Sequence, residues 1–150
     1  MKRIIKLFIL VVIATIFLIA CNKESYVHYI VEGRIIDKMT KEPVEGIMVS
    51  FHKYDIIHPK GGQKVLKNSP VGHEGWSDEN GGFNTLISIL ETYSPSLLYI
   101  YGYSSNDNGL YKDTTISVDF SNVPLSGTPS KNYKGDYVLD IGDIELEKMN

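Results

Sequence analysis

The chain has 150 residues, 43% of them hydrophobic and 22% charged, and a formal net charge of −3 at pH 7. This length fits one domain with a sizeable core, and the acidic balance excludes the basic patch that binding to nucleic acid requires. The single cysteine excludes a disulfide framework and a cysteine-ligated metal cluster, so the core must stabilise the fold.

The N-terminal segment has the features of a secretory signal. Three basic residues, Lys2, Arg3 and Lys6, precede an apolar run over residues 7–20 that is too short for a membrane-spanning helix. The run ends in Leu-Ile-Ala directly before Cys21, a pattern that resembles the lipobox of bacterial lipoproteins. We predict that residues 1–20 are a cleaved signal peptide and that Cys21 is the lipidated N-terminus. The alternatives are an uncleaved anchor and an ordinary signal peptide with a coincidental cysteine.

The predicted mature chain has a tether over residues 21–25 and one folded domain over residues 26–150. Without the three basic residues of the signal, 12 Lys and Arg stand against 18 Asp and Glu, so the formal charge becomes −6. The expected partner is the membrane, through the lipid on Cys21. Asn22, where an Asp would signal retention in the inner membrane of enterobacteria, favours outer-membrane delivery. Whether the domain faces the periplasm or the outside stays open.

From residue 26 onward the sequence predicts an all-β fold. Short apolar alternations are separated by turn signals, and no stretch keeps a helical period for three turns. One such strand has Tyr29, Val31, Gly33 and Ile35 on one face and Ile30, Glu32, Arg34 and Ile36 on the other. Seven strands are predicted, over residues 29–36, 47–52, 71–77, 83–90, 97–103, 114–120 and 137–146. Their number and spacing favour a two-sheet sandwich of the Ig-like or transthyretin-like kind.

Turn signals mark the connections between these strands. Residues 37–43 are polar and end in proline, which predicts a hairpin connection or a turn, and residues 54–70 predict a long loop. Asn80-Gly81 predicts a tight turn between the third and fourth strands. In the last strand, the alternation continues one residue out of phase after Gly142-Asp143, which predicts a β-bulge there.

Three segments, 31–37, 42–47 and 77–83, follow one another in the order of a known repeat. They resemble the carboxypeptidase regulatory-like, transthyretin-like repeat of Bacteroidota envelope proteins, which has a G-x-V-x-D strand, a P-V/I-x-G-V/I turn and a T-D-x-x-G-x-F hairpin. Ser77 stands where the repeat usually has Thr, and the middle loop is longer. The resemblance covers the N-terminal half of the mature chain and implies a β-sandwich.

The C-terminal half has a resemblance of its own. Segments 108–116, 133–135, 140–142 and 146–148, together with the lipobox and the length, resemble the Bacteroidota family of radical SAM-associated lipoproteins. The family name records a gene neighbourhood and implies no activity.

The four histidines, His28, His52, His58 and His73, form no catalytic or metal-binding motif. His73-Glu74 lacks the second histidine of a zinc-binding helix and lies in a predicted strand. We predict that all four are surface or loop residues, with His52 on the outward face of its strand. Because no phosphate-binding glycine loop or nucleophile motif is present either, we predict a protein that is not an enzyme and needs no cofactor.

Two features support weaker binding hypotheses. Asp107, Asn108 and Asp113 offer oxygen ligands for Ca²⁺, but their spacing differs from a calcium loop, and a solvated loop is the favoured interpretation. Three tyrosines, Tyr99, Tyr101 and Tyr103, alternate along one strand face and could stack on a sugar or seat a partner. Packing of these rings within the fold is the favoured interpretation.

Three functional hypotheses follow from the sequence. The favoured one is a non-catalytic module that binds an envelope protein, a peptide or a glycan, with a carbohydrate-binding accessory protein as a variant of it. The second, from the family resemblance, is a substrate or client of a neighbouring radical SAM enzyme. The third is an enzyme whose pocket no spacing in the sequence predicts.

Overall fold

The computed structural model describes residues 25–52, 56–57, 70–104 and 111–149, which form strands and no helix. Within these ranges there are ten strands. In chain order they are β1 (Tyr26–Asp37), β2 (Ile47–His52), β3 (Ile56–Ile57), β4 (Pro70–Trp76), β5 (Gly82–Leu90), β6 (Ser94–Pro95), β7 (Leu97–Ser104), β8 (Thr114–Ser117), β9 (Leu125–Ser126) and β10 (Tyr133–Leu146). The predicted all-β sandwich is confirmed, and each of the seven predicted strands is present.

Eight of the strands form one curled sheet in the order β8-β7-β2-β4-β5-β1-β10-β9, and β3 pairs with β6 separately. Neighbouring strands are antiparallel except β1 and β10, which run parallel from Tyr26 and Tyr133 onward. One half of the sheet consists of β8, β7, β2 and β4, and the other of β5, β1, β10 and β9. The two halves meet at β4 and β5, where His73 lies opposite Leu86. Curling brings the halves together, so that both contribute to a single core.

The core follows from the alternation in the strands. Val27, Tyr29 and Val31 of β1 are at most 5% exposed, and the predicted inward residues of β2 are fully buried. The other core residues in strands are Ile35, Ile47, Val49, Phe51, Phe83, Ile87, Leu98, Ile100, Ile144 and Leu146, and four further side chains in the described ranges come from the connections. Fully burying one such side chain contributes about 1.5 to 3 kcal/mol, so this cluster dominates the stability of the fold.

The predicted bulge in the last strand is confirmed. Glu32 pairs with Asp140, but Arg34 pairs with Asp143, so β10 has one residue more than β1 between these pairs. Gly142 provides the left-handed backbone conformation, with φ of 68°. The extra residue lets Ile144 face the core in the same way as the residues before the bulge.

The predicted turn around Asn80-Gly81 is built around an aspartate. Asp78 Oδ1 accepts hydrogen bonds from the backbone N–H groups of Asn80 and Gly82, at 2.9 Å each. Gly81 adopts a φ of 77° and its N–H donates to the Asp78 carbonyl. The turn therefore joins β4 to β5 as the sequence predicts.

Three connections between the predicted strands contain short strands that the sequence did not indicate. β3 lies in the predicted loop over residues 54–70, β6 lies between the predicted strands 83–90 and 97–103, and β9 lies between 114–120 and 137–146. Strands of two residues are too short to show any periodicity.

The predicted strand over residues 114–120 is shorter in the structure. It ends at Ser117, although the Val118 N–H still donates to the Ser96 carbonyl.

Candidate functional site

The predicted tyrosine face lies on β7, on the side of the strand opposite the core. Leu98 and Ile100 are fully buried, whereas Tyr99 and Tyr101 are half-buried, as the alternation predicts. The ring centroids of the two tyrosines are 4.6 Å apart. Tyr103 belongs to β7, but its side chain lies outside what the structure describes. Two of the three tyrosines thus form a contiguous aromatic surface.

Asp113 positions this surface. Its Oδ2 accepts a hydrogen bond from the Tyr99 hydroxyl at 2.6 Å, and its Oδ1 accepts one from the Gly102 N–H at 2.8 Å. Both oxygens of the Asp113 carboxylate therefore have partners in β7. The other two members of the predicted calcium loop, Asp107 and Asn108, lie outside the described residues, as does Cys21, so those predictions stay predictions.

His52 corrects the expectation that all four histidines are at the surface. It is 3% exposed, although it lies on the outward face of β2 as predicted. β2 is in the middle of its half of the sheet, between β7 and β4, and the ring of Tyr99 lies 5.4 Å from the His52 ring. Ser50, on the same face, is also fully buried. A central strand can thus be covered on both faces.

The other histidines fit the prediction as far as the structure describes them. His73 is exposed on β4, and His58 lies outside the described residues. His28 is half-buried on β1, with Nδ1 2.9 Å from Asp136 Oδ1 and its ring 4.8 Å from the ring of Tyr133. The Tyr133 hydroxyl donates to the same carboxylate, which ties the start of β1 to β10.

The sequence did not indicate a cleft of about 410 Å³ that opens at one end of the sandwich. We call it the aromatic cleft. Its floor consists of Tyr29, Phe120 and Tyr137, its sides of Val123 and Leu125, and its rim of Ser94, Asp119 and Ser121.

The floor of the aromatic cleft is a packed cluster of rings. The rings of Tyr29 and Tyr137 are stacked, with centroids 5.0 Å apart and an angle of 17° between the planes. Phe120 meets Tyr29 edge to face at 4.8 Å. The Tyr29 hydroxyl donates to the Tyr93 carbonyl, and burial raises the pKa of this phenol. Tyr137 is half-buried, so it presents aromatic surface at a fixed position.

The rim is shaped by the turn that follows β8. The backbone N–H of Ser121 donates to Asp119 Oδ1 at 2.9 Å and lowers the pKa of that carboxyl, so the group is ionised at neutral pH. The Val123 N–H donates to the Phe120 carbonyl. This turn directs Phe120 into the core and leaves Asp119 and Ser121 exposed beside the floor.

A second polar cluster lies at the opposite ends of β1 and β10. The Tyr111 hydroxyl is 3.2 Å from Asp37 Oδ2, and Lys148 Nζ is 3.4 Å from the same oxygen. Backbone N–H groups of Thr40 and Met39 lower the pKa of the Asp37 carboxyl, and burial raises the pKa of the Tyr111 phenol. Asp37 is 4% exposed. These bonds fix the turn after β1, which is a structural role.

No group of three or more His, Cys, Asp and Glu side chains is placed to hold a metal ion in the part of the chain that the structure describes. Within the same ranges, nothing forms a helix with the length and hydropathy of a membrane span.

The aromatic cleft escaped sequence reasoning because its lining residues come from four separate segments. Tyr29 belongs to β1, Ser94 to β6 and Tyr137 to β10, and the others come from the connection between β8 and β10. The only signal in the sequence is that Tyr29 and Tyr137 are aromatic at inward positions of their strands. Only the tertiary structure brings them together.

No protein-family model and no curated protein matches the sequence. Two similar solved structures are of one protein, BcpA, the major pilin subunit of Bacillus cereus. One shares 17% identity with a TM-score of 0.38 and covers 82% of this chain and 31% of the pilin chain. The other, the D312A form, shares 19% identity with a TM-score of 0.33 and covers 79% and 30%. The present chain thus spans about a third of that pilin's length, and neither similarity implies a shared activity or partner.

Proposed function

We propose that the chain is a non-catalytic binding module of a bacterial envelope, held to a membrane by lipid on Cys21. The N-terminal basic and apolar segments before Cys21 support the anchor and the envelope localisation. Asn22 favours the outer membrane, and the resemblance to Bacteroidota lipoproteins agrees with this placement. A sandwich domain is a suitable scaffold for recognition because its connections gather at its two ends.

The observation that carries the binding function is the aromatic cleft. Small-molecule sites are concave, lined by aromatic and apolar side chains, and equipped with a few polar groups that orient the ligand. The aromatic cleft has a half-buried aromatic ring and polar groups at its rim, and its volume of about 410 Å³ lies within the usual range of roughly 300 to 1,000 Å³. Its floor is fixed by the stacked rings and by the hydroxyl of Tyr29, so little ordering is needed on binding.

The sequence argues separately against catalysis, since its histidines and acidic residues form no nucleophile, metal or phosphate motif. The polar side-chain groups at the cleft are one carboxylate, two serine hydroxyls and two tyrosine phenols, with no histidine or lysine among the lining residues that the structure describes. A carboxylate with a lowered pKa is a hydrogen-bond acceptor at neutral pH and a poor general base. The groups present therefore suit binding.

An NMR fragment screen tests the binding function. The screen uses the lipid-anchored chain in detergent micelles, and the described core that it monitors lies between Val27 and Leu146. We expect fragments to shift amide resonances of residues 119–125 and 137. Tyr137→Leu should remove these shifts, and Tyr26→Ala, on the outer face of β1, should retain them. Fragments that bind only elsewhere, or turnover of a fragment at the cleft, would contradict the proposal.

A further inference from the structure

We propose that the aromatic cleft binds a neutral saccharide, with the Tyr137 ring beneath the sugar and the Asp119 carboxylate accepting hydrogen bonds from its hydroxyl groups. This inference rests on the binding function proposed above and assigns it a site and a ligand class.

The ring of Tyr137 provides a flat aromatic surface on which a sugar can pack. A pyranose has an apolar face of C–H groups, which packs against the electron-rich face of an aromatic ring. Tyr137 is half-buried at the cleft, and stacking on Tyr29 at an angle of 17° holds its plane in place. A ring already fixed by its neighbours loses little side-chain entropy when a ligand covers it.

The rim of the cleft provides polar groups for the hydroxyl groups of a sugar. A sugar presents hydroxyl groups that both donate and accept, so it needs partners of both kinds at one site. Asp119 offers an ionised acceptor, held in position by the Ser121 N–H at 2.9 Å. The Ser94 hydroxyl donates to the Pro95 carbonyl at 3.4 Å and the Ser121 hydroxyl bonds to the Asp119 carboxylate, so both hydroxyls keep lone pairs that can accept. The phenol of Tyr137, which lines the same cleft, can donate. Aromatic platform and mixed rim lie around one cleft.

Negative charge at the cleft and on the whole domain favours a neutral ligand. Asp119 is the charged side chain among the residues that line the cleft, and the mature chain has a formal charge of −6. An anionic sugar such as a uronate would be repelled both locally and by the whole domain. A lysine side chain would be attracted by the carboxylate, but its ammonium group has no flat apolar face to cover the Tyr137 ring, whereas a pyranose has one. Neutral saccharides satisfy all of these groups.

The test is a titration followed by two-dimensional NMR, with cellobiose, maltose and mannobiose as neutral probes, digalacturonate as the anionic probe and a Gly-Lys-Gly peptide as the cationic probe. We expect at least one neutral disaccharide to shift the amide resonances of residues 119–125 and 137, with a far weaker effect of digalacturonate. Tyr137→Leu and Asp119→Asn should each weaken binding by roughly tenfold. Tyr26→Ala should leave it unchanged.

The outcomes separate this inference from the proposed function. If no neutral disaccharide shifts these resonances, or if Tyr137→Leu binds as well as the parent while still folded by its NMR spectrum, the saccharide assignment is wrong. If the lysine peptide alone shifts them, the module binds at this cleft but its ligand is a cationic peptide. If digalacturonate binds as well as the neutral sugars, the charge argument fails and the saccharide assignment must be withdrawn.

Discussion

Gly81 and Ile35 approach each other so closely that a side chain cannot fit between them. The Ile35 N–H donates to the Gly81 carbonyl at 2.8 Å, and a Cβ built on Gly81 would lie 2.3 Å from the Ile35 carbonyl oxygen. The φ of Gly81 is 77°, which already disfavours other residues. The close contact with Ile35 and the positive φ together make Gly81 the position of the β4–β5 turn that tolerates a side chain least.

The comparison with Gly142 separates these two effects. Gly142 has a φ of 68° with no atom within 4 Å of an added Cβ, so Gly142→Ala should cost only the conformational strain, about 1 to 2 kcal/mol. Gly81→Ala should cost clearly more, because the backbone must also move. Urea unfolding of both variants measures the difference. Equal losses, or a larger loss at Gly142, would contradict the account of Gly81.

Ser77 joins the start of β2 to the end of β4 through a buried hydroxyl. Its Oγ accepts from the Ile47 N–H at 2.8 Å and donates to the Val44 carbonyl at 2.7 Å, and the residue is 3% exposed. Ser77→Ala should lower the unfolding free energy by about 1 to 3 kcal/mol, because two buried backbone groups lose their partner. Ser77→Thr, which keeps the hydroxyl, is the control, and urea unfolding measures both. An unchanged unfolding free energy in Ser77→Ala would show that the two backbone groups find other partners.

The Asp37 carboxylate should make stability depend on acid pH. Backbone N–H groups of Thr40 and Met39 lower its pKa in the folded state below the ordinary value of 3.8. The unfolded chain therefore takes up the proton first, so the stabilisation is present above about pH 4 and is lost as pH falls through the folded pKa. Asp37→Asn should flatten the stability profile below pH 4.

Tyr111→Phe is the matched control for Asp37. It removes the phenol that lies 3.2 Å from Asp37 Oδ2 but keeps the backbone bonds, which are the main cause of the lowered pKa. Thermal unfolding between pH 2 and pH 6 should thus show the acid dependence in Tyr111→Phe and lose most of it in Asp37→Asn. The reverse pattern would mean that the phenol, rather than the turn, sets this pKa.

Calcium should have no effect on stability. Both oxygens of the Asp113 carboxylate accept hydrogen bonds, from Tyr99 and Gly102, and the spacing of Asp107, Asn108 and Asp113 differs from that of a calcium loop. A ligand that binds only the folded state raises the melting temperature, so melting should be the same in EDTA and at about 1 mM Ca²⁺. A rise that disappears in Asp113→Asn would instead favour the calcium hypothesis for Asp107, Asn108 and Asp113 over the solvated loop.

The anchor prediction concerns Cys21. Protein purified from its native membrane should have the mass of residues 21–150 plus a diacylglyceryl and an N-acyl group, and Cys21→Ser should remain unprocessed. Intact mass spectrometry with peptide mapping checks both statements. A chain that still contains residues 1–20 would contradict cleavage, and extra mass within residues 22–150 would favour the client of a radical SAM enzyme over the binding module.

The strands were predictable because core-facing and outward residues alternate along a half-buried strand. Val31 and Ile35 of β1 and Val49 of β2 face the core as predicted. The bulge was predictable for the same reason, since the phase of the alternation changes at Gly142. These features depend on residues that are close together in the sequence, where the side-chain period of two operates.

Features that depend on distant segments were not predictable. His52 is polar and outward on its strand, yet it is buried because neighbouring strands and the Tyr99 ring cover β2. The aromatic cleft needs Tyr29 and Tyr137 side by side, which requires the parallel pairing of β1 with β10. No local pattern encodes that pairing.

The parallel pairing of β1 with β10 also constrains the order of folding. His28 and Asp136 are 108 residues apart in the sequence but 2.9 Å apart in the fold. β1 can gain this neighbour only after the rest of the domain has been synthesised, so a partly synthesised chain has an open sheet and no complete core. The sheet of this domain therefore closes late, when the last strand docks beside the first.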